Sequence, residues 1–306
     1  MRAFIFPGQG SQSVGMGKAL AEASPVARAL FEEVDEALGQ NLSRLMAEGP
    51  IEELTLTENA QPAIMANALA TLRVAGIDIG KADFVAGHSL GEYSALAAAG
   101  SFDVATAAKL LKLRGKAMQE AVPVGQGAMA ALLGASLEIA RAVAEAAAQG
   151  EICAVANDND PSQVVISGHR GAIERALEIA KEKGAKRAVL LPVSAPFHSP
   201  LMEPAARAMA QALGETDIAA PALPVYANVT AAPVSDPAEI RRLLVEQVTG
   251  MVRWRESVAA MAAAGVTHFV EFGGKVLSPM VKRIAPDAQT TSVVTMDDIE
   301  ALAKEI

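Results

Sequence analysis

Apolar residues recur along this chain in two rhythms. Short continuous blocks predict buried strands over residues 3–6, 83–87, 224–228 and 267–271, with a closing strand and helix inside 290–305. Leu30, Val34 and Leu38, then Ile64, Ala68 and Leu72, fall at helical spacing and predict helices over 19–38 and 61–74. Pro62 is read in the first turn of its helix, where a missing N–H costs nothing. Two helices are expected between Phe102 and Ala121, and others over 200–213, 237–248 and 254–264. Strands alternating with helices are the mark of a parallel α/β fold.

The texture changes near Pro123. Strands are predicted over 128–133, 152–157, 163–167 and 187–193, helices over 136–148 and 170–183, and a turn at Asn157-Asp158-Asn159-Asp160-Pro161. This βαββαβ order is the ferredoxin-like pattern. It divides the chain into a large α/β domain, 1–122 with 194–306, and an inserted subdomain, 123–193.

Composition narrows the class. Of 306 residues, 51% are hydrophobic and 20% charged, as in a globular protein. No apolar run reaches the roughly 18 residues of a membrane helix, and the first residues are too short for a signal peptide, so a cytoplasmic location without membrane attachment is expected. The net charge of −9 speaks against a nucleic-acid partner, which wants a basic surface. Cys153 is the sole cysteine, which excludes an internal disulfide and a cysteine-built metal site; its apolar surroundings predict a buried, inert thiol.

Candidate chemistry centres on Gly87-His88-Ser89-Leu90-Gly91, a Gly-x-Ser-x-Gly between a predicted strand and a predicted helix. On such a turn a serine hydroxyl stands clear of both elements, and the helix N-terminus suits a developing oxyanion. A tight turn that happens to hold serine is the alternative. The N-terminal Pro7-Gly8-Gln9-Gly10 loop lacks both the third glycine of a dinucleotide fingerprint and the Gly-Lys-Ser/Thr of a P-loop, so a noncatalytic nucleotide-binding module remains a rival only. The Gln9 amide is a candidate oxyanion donor or an ordinary turn residue.

A serine nucleophile needs a base. Of the four histidines, His88 adjoins the serine but diverges from it, and His169 and His268 read as structural. His198, on the proline-fixed Ser194–Pro200 loop, is the candidate base, without an acid in the place an ordinary α/β-hydrolase would supply one. A carbonyl could orient its Nδ1–H equally well. Arg114, among lysines, reads from the sequence as a surface cation.

Phe6-Pro7-Gly8-Gln9-Gly10-Ser11-Gln12, Gly87-His88-Ser89-Leu90-Gly91-Glu92-Tyr93, Arg114-Gly115, Asn157-x-Asn159, Val164–Gly168, Phe197-His198-Ser199 and Gly274–Leu277 together resemble the malonyl-CoA:acyl carrier protein transacylase family. The resemblance runs over nearly the whole chain, in order. It departs where the family often has Gly-Pro-Gly and this chain has Phe272-Gly273-Gly274, at a turn away from the candidate chemistry.

The resemblance implies an α/β-hydrolase-like large domain, malonyl-CoA and acyl carrier protein as partners, and no cofactor or metal. It also implies ping-pong transfer through malonyl-Ser89, with His198 as base and the backbone carbonyl of Gln247 orienting it. By the same likeness the N–H groups of Gln9 and Leu90 form the oxyanion hole, and Arg114 grips the malonyl carboxylate. Phe197 would crowd the 2-methyl group of methylmalonyl-CoA. An acidic carrier would need a local basic patch, for which Lys181, Lys183, Lys186 and Arg187 are candidates; a plain solvated helix face is their alternative. A serine thioesterase or esterase is the competing enzymatic reading.

Overall fold

The computed structural model describes all 306 residues. Alternation along β1 (Arg2–Phe6) decides how the larger sheet is buried: Phe4 and Phe6 enter one core, Ala3 and Ile5 the other, and all four are fully buried. A strand covered on both faces reads as one continuous apolar block. The remaining strands are β2 (Phe84–Gly87), β3 (Gly127–Leu133), β4 (Cys153–Asp160), β5 (Gln163–His169), β6 (Arg187–Leu190), β7 (Val225–Ala227), β8 (Ala232–Val234), β9 (His268–Phe272) and β10 (Gln289–Val293).

Six strands form the larger sheet in the order β10-β9-β1-β2-β7-β8, parallel except for the terminal β7–β8 pair. The other four form a separate antiparallel sheet, β4-β5-β3-β6, backed by helices Leu137–Ala148 and Arg170–Glu182. Its chain order and pairing are those of a ferredoxin-like unit, as the sequence pattern predicts. The fold is thus mixed α/β with two sheets. No helix is long and apolar enough to cross a membrane.

Several elements differ from expectation. The helix expected over 19–38 is two, Lys18–Ala23 and Pro25–Leu38, parted where Ser24 caps the second. The helix expected from Gln61 starts at Thr57 and runs to Ala75, so Pro62 lies inside it and removes a rung of the ladder. Burial of nearly every side chain from Thr57 to Thr71 offsets that loss. Residues 102–121 hold one helix, Val104–Glu120, capped by Asp103, which accepts from the Thr106 N–H at 2.7 Å. A Cβ on Gly115 in this helix would lie 2.6 Å from the Thr57 carbonyl oxygen, so the glycine permits close helix packing and does not break the helix.

The Asn157–Asp160 segment is strand, not turn. Local propensity is overridden by partners outside the small sheet. Asp158 meets Arg255 at 2.8 Å, Asp160 meets Arg283 at 2.8 Å, and Val252 pairs with the strand backbone from the large-sheet side. Helices Leu42–Glu48, Ile51–Thr55 and Leu277–Ile284 and strand β8 were not legible beforehand.

Candidate active site

β9, β1 and β2 lie side by side, and the loops leaving their carboxyl ends meet at one cavity of about 350 Å³. Ser89 stands on the turn after β2 with φ 54°, a left-handed conformation a non-glycine residue adopts only when its surroundings impose it. The flanking glycines follow from the same crowding. A Cβ on Gly87 would fall 1.8 Å from the Gly91 carbonyl oxygen, and one on Gly91 would fall 2.3 Å from that of Phe6.

The turn is held from outside by Asn228, just past β7. Its Oδ1 accepts from the Ser89 N–H at 2.8 Å, and its Nδ2 donates to the Gly87 carbonyl at 2.7 Å. Ser89 Oγ then lies 2.7 Å from His198 Nε2. His198, also at positive φ (53°), has Nδ1 2.8 Å from the backbone carbonyl oxygen of Gln247. A carbonyl can only accept, so Nδ1 carries the proton and Nε2 presents its lone pair to the serine hydroxyl. No carboxylate is required for that alignment.

Burial, and secondly the Arg114 cation, push the His198 pKa down to about 3, against the Gln247 carbonyl, which raises it. The ring is therefore neutral across the physiological range and able to accept a proton.

Arg114 is not on the surface. It is 1% exposed, with Nη1 2.7 Å from Gln61 Oε1 and Nη2 within 3.1 Å of Ser89 Oγ and 3.0 Å of Gln247 Oε1. Its Nε has no partner, and its guanidinium lies 5.6 Å from the Tyr93 ring centre. The neighbouring Lys112 does reach outward, to Gln40 and Asn59 at 2.8 and 2.9 Å.

Gln9 and Leu90 line the cavity with Ser89, and neither backbone N–H donates to an acceptor within the protein. The Gln9 side chain is engaged elsewhere, its Oε1 accepting from the Thr57 hydroxyl at 3.0 Å. Phe197 is buried in the cavity wall beside His198. His88 turns away from the serine: its Nε2 lies 2.7 Å from Asn159 Oδ1 on β4, and its ring lies near Trp254. His169 and His268 lie elsewhere, bonded to the Ile152 N–H and to Thr291.

The structure brings together Ser89, His198, Gln247, Arg114, Gln9, Leu90 and Phe197. Lys181, Lys183, Lys186 and Arg187 are exposed on the small-sheet unit, and none lines the cavity. Gln61, Glu92 and Asn228 were missed as site residues. Glu92 alone had a local signal, standing within the serine motif. Cys153 is half-buried, and burial pushes its thiol up to about 11, so it is unreactive at neutral pH. No three His, Cys, Asp or Glu side chains are grouped to hold a metal ion.

Residues 3–281 match the acyl transferase domain. The chain is 48% identical over 303 residues to the malonyl CoA-acyl carrier protein transacylase of Bacillus subtilis strain 168, covering 97% of this chain and 95% of that one. An acyl-carrier-protein S-malonyltransferase from Bartonella henselae superposes with a TM-score of 0.97 at 52% identity, covering 99% of this chain and 98% of that one. A malonyl-transacylase solved in complex with its type II PKS acyl-carrier protein superposes at 0.95 with 41% identity, covering 100% and 99%. A match of that extent, with a serine and a histidine in hydrogen-bond contact at its centre, makes the chain an acyltransferase: it belongs to the acyl transferase domain family, among the malonyl CoA-acyl carrier protein transacylases.

Proposed function

We propose that the protein transfers the malonyl group of malonyl-CoA to the phosphopantetheine thiol of an acyl carrier protein, by a ping-pong route through malonyl-Ser89. The observation that carries this reading is a buried guanidinium 3.1 Å from the candidate nucleophile. An esterase for neutral acyl groups has no use for a cation there, whereas a malonyl thioester brings a free carboxylate two carbons beyond the carbonyl that reacts. A relative captured with its carrier supports the identity of the acceptor.

In the first half-reaction Ser89 Oγ attacks the thioester carbonyl while its proton passes to His198 Nε2. The oxyanion is met by the free N–H groups of Gln9 and Leu90, each such donor being worth about 10²–10³ in rate. The intermediate collapses with cleavage of the carbon–sulfur bond, and CoA leaves with the proton from His198. The carrier thiol then gives its proton to His198 and attacks malonyl-Ser89, and Oγ recovers the proton as it departs. Throughout, the guanidinium of Arg114 holds the malonyl carboxylate. In this reading residues 1–122 and 194–306 supply the chemistry, and the insert, 123–193, walls the cavity.

The test is to incubate malonyl-CoA, holo carrier protein and the enzyme and identify the products. Malonyl-carrier and free CoA are expected; free malonate as the main product would make the protein a thioesterase.

The lowered His198 pKa fixes a pH profile. The neutral ring is the working form, so depressing the pKa keeps that form populated as pH falls through 6.5. The kcat/KM for acetyl-CoA, which makes no use of a carboxylate grip, should show no acid limb near 6.5 and stay level down to about pH 5. A limb centred near 6.5 would contradict the assignment of His198 as a desolvated base.

Phe197 sets a second expectation. Its ring occupies cavity wall beside the base, so a 2-methyl substituent is disfavoured by about 1–3 kcal/mol, or roughly 10–200-fold in kcat/KM. Phe197→Ala should narrow the gap between malonyl-CoA and methylmalonyl-CoA. Equal kcat/KM for the two thioesters in the wild type would remove Phe197 from the specificity account.

A further inference from the structure

Arg114 is a buried cation whose hydrogen bonds in the free enzyme all go to neutral oxygens. A carboxylate bound directly to it would satisfy the guanidinium and compete with an acidic substrate. A buried arginine with no anchor, however, would lose its aim. The Gln247 side chain provides the anchor, and its amide has a fixed sense. Nε2 shares its two N–H groups among three acceptors, the Ser89 carbonyl at 3.0 Å, Asn228 Oδ1 at 3.0 Å and Glu92 Oε2 at 2.5 Å, which leaves Oε1 to accept from Arg114 Nη2 at 3.0 Å.

Glu92 is the one carboxyl in this network. It sits in the first turn of the helix Gly91–Ala98, 3% exposed, and its Oε1 accepts from the Asn228 N–H at 3.1 Å. Both oxygens thus accept from fixed donors. Burial pushes its pKa up to about 8, while the Asn228 N–H, the Arg114 cation and the Gln247 amide pull the other way. The contacts suit the ionised form, since neither oxygen is placed to share a proton with an acceptor.

We infer that Glu92 is a positioning residue for the substrate carboxylate: it locks the sense of the Gln247 amide, which aims Arg114 while leaving its fork open. This rests on the reading of Arg114 as the malonyl grip. A glutamine at position 92 keeps the volume but offers one acceptor and one donor. Its donor must then face either the Asn228 N–H or the Gln247 amide. In the second case two N–H donors face each other, so the Gln247 amide is pushed from its place and the guanidinium it aims is displaced.

The experiment compares kcat/KM for malonyl-CoA and acetyl-CoA, with one holo carrier protein, in the wild type, Glu92→Gln and Arg114→Ala. Glu92→Gln should lower the malonyl-to-acetyl ratio at least tenfold, through a raised KM for malonyl-CoA more than a lowered kcat. A folded Glu92→Gln enzyme with an unchanged ratio, or with both substrates reduced equally, would overturn the inference, because support of the serine turn alone is blind to the substrate carboxylate. If Arg114→Ala also leaves the ratio unchanged, the grip assignment itself is what fails. Should Glu92→Gln not fold, Gln247→Met cuts the same relay while retaining the backbone carbonyl that meets His198. It must lower the ratio likewise, and an unchanged ratio there overturns the inference.

Discussion

His198→Ala will lower kcat for malonyl transfer by about 10⁴-fold or more, with a much smaller change in KM. The serine hydroxyl is a poor nucleophile unless a base takes its proton as the carbon–oxygen bond forms, and a base acting alone contributes about 10²–10⁴. In the proposed route the same ring serves twice more, protonating CoA as it leaves and deprotonating the incoming carrier thiol. Groups that work as a unit lose most of their effect when one is removed. No other histidine can take over: His88 is bonded to Asn159, and His169 and His268 have partners elsewhere. Residual rate would come from the Gln9 and Leu90 N–H groups and from Arg114 beside Oγ. Steady-state transfer of malonyl to holo carrier protein measures this, and a loss under tenfold would remove His198 from the chemistry.

Arg114→Ala produces the second large effect, and its size depends on the substrate. The guanidinium is 1% exposed, so its bonds to a carboxylate form away from solvent. Losing one partner of such a pair costs about 2–5 kcal/mol, or roughly 30- to 5,000-fold in KM for malonyl-CoA. Acetyl-CoA carries no carboxylate and should lose far less. Arg114→Lys should resemble Arg114→Ala more than the wild type, because a single ammonium cannot reproduce a planar two-point fork. Comparable losses for malonyl-CoA and acetyl-CoA would show that Arg114 supports the serine and not the substrate.

Much of the site is written in local sequence, because its demands are local. Gly87 and Gly91 are fixed by backbone contacts within the turn and to the adjacent β1 end, so the Gly-x-Ser-x-Gly pattern states the geometry directly. The two-sheet division is legible too, since the rhythm of apolar residues changes where the chain enters the small sheet. Arg114 is the opposite case. Helical spacing puts it among lysines, and only the packing of its helix against Thr57–Ala75 buries it beside Gln61. Gln61 itself was obscured because the helix begins a turn earlier than its apolar pattern suggests.

Asn228 and Glu92 act through contacts to residues far away in sequence, and no spacing rule reports those. Asn157 to Asp160 look like a turn by composition. They extend as strand because Asn159 meets His88 and the two aspartates meet arginines of the other unit. Polar residues of turn-forming type in mid-strand therefore mark where the two units are joined.

The central claim is that Ser89 carries the malonyl group. Intact-protein mass spectrometry after mixing with malonyl-CoA, in the absence of carrier protein, tests it most directly. The wild type should gain the mass of one malonyl group, mapped by peptide fragmentation to Ser89 and lost on addition of holo carrier protein, and Ser89→Ala should gain nothing. An adduct that persists in Ser89→Ala, or transfer to the carrier that proceeds without Ser89, would contradict the account.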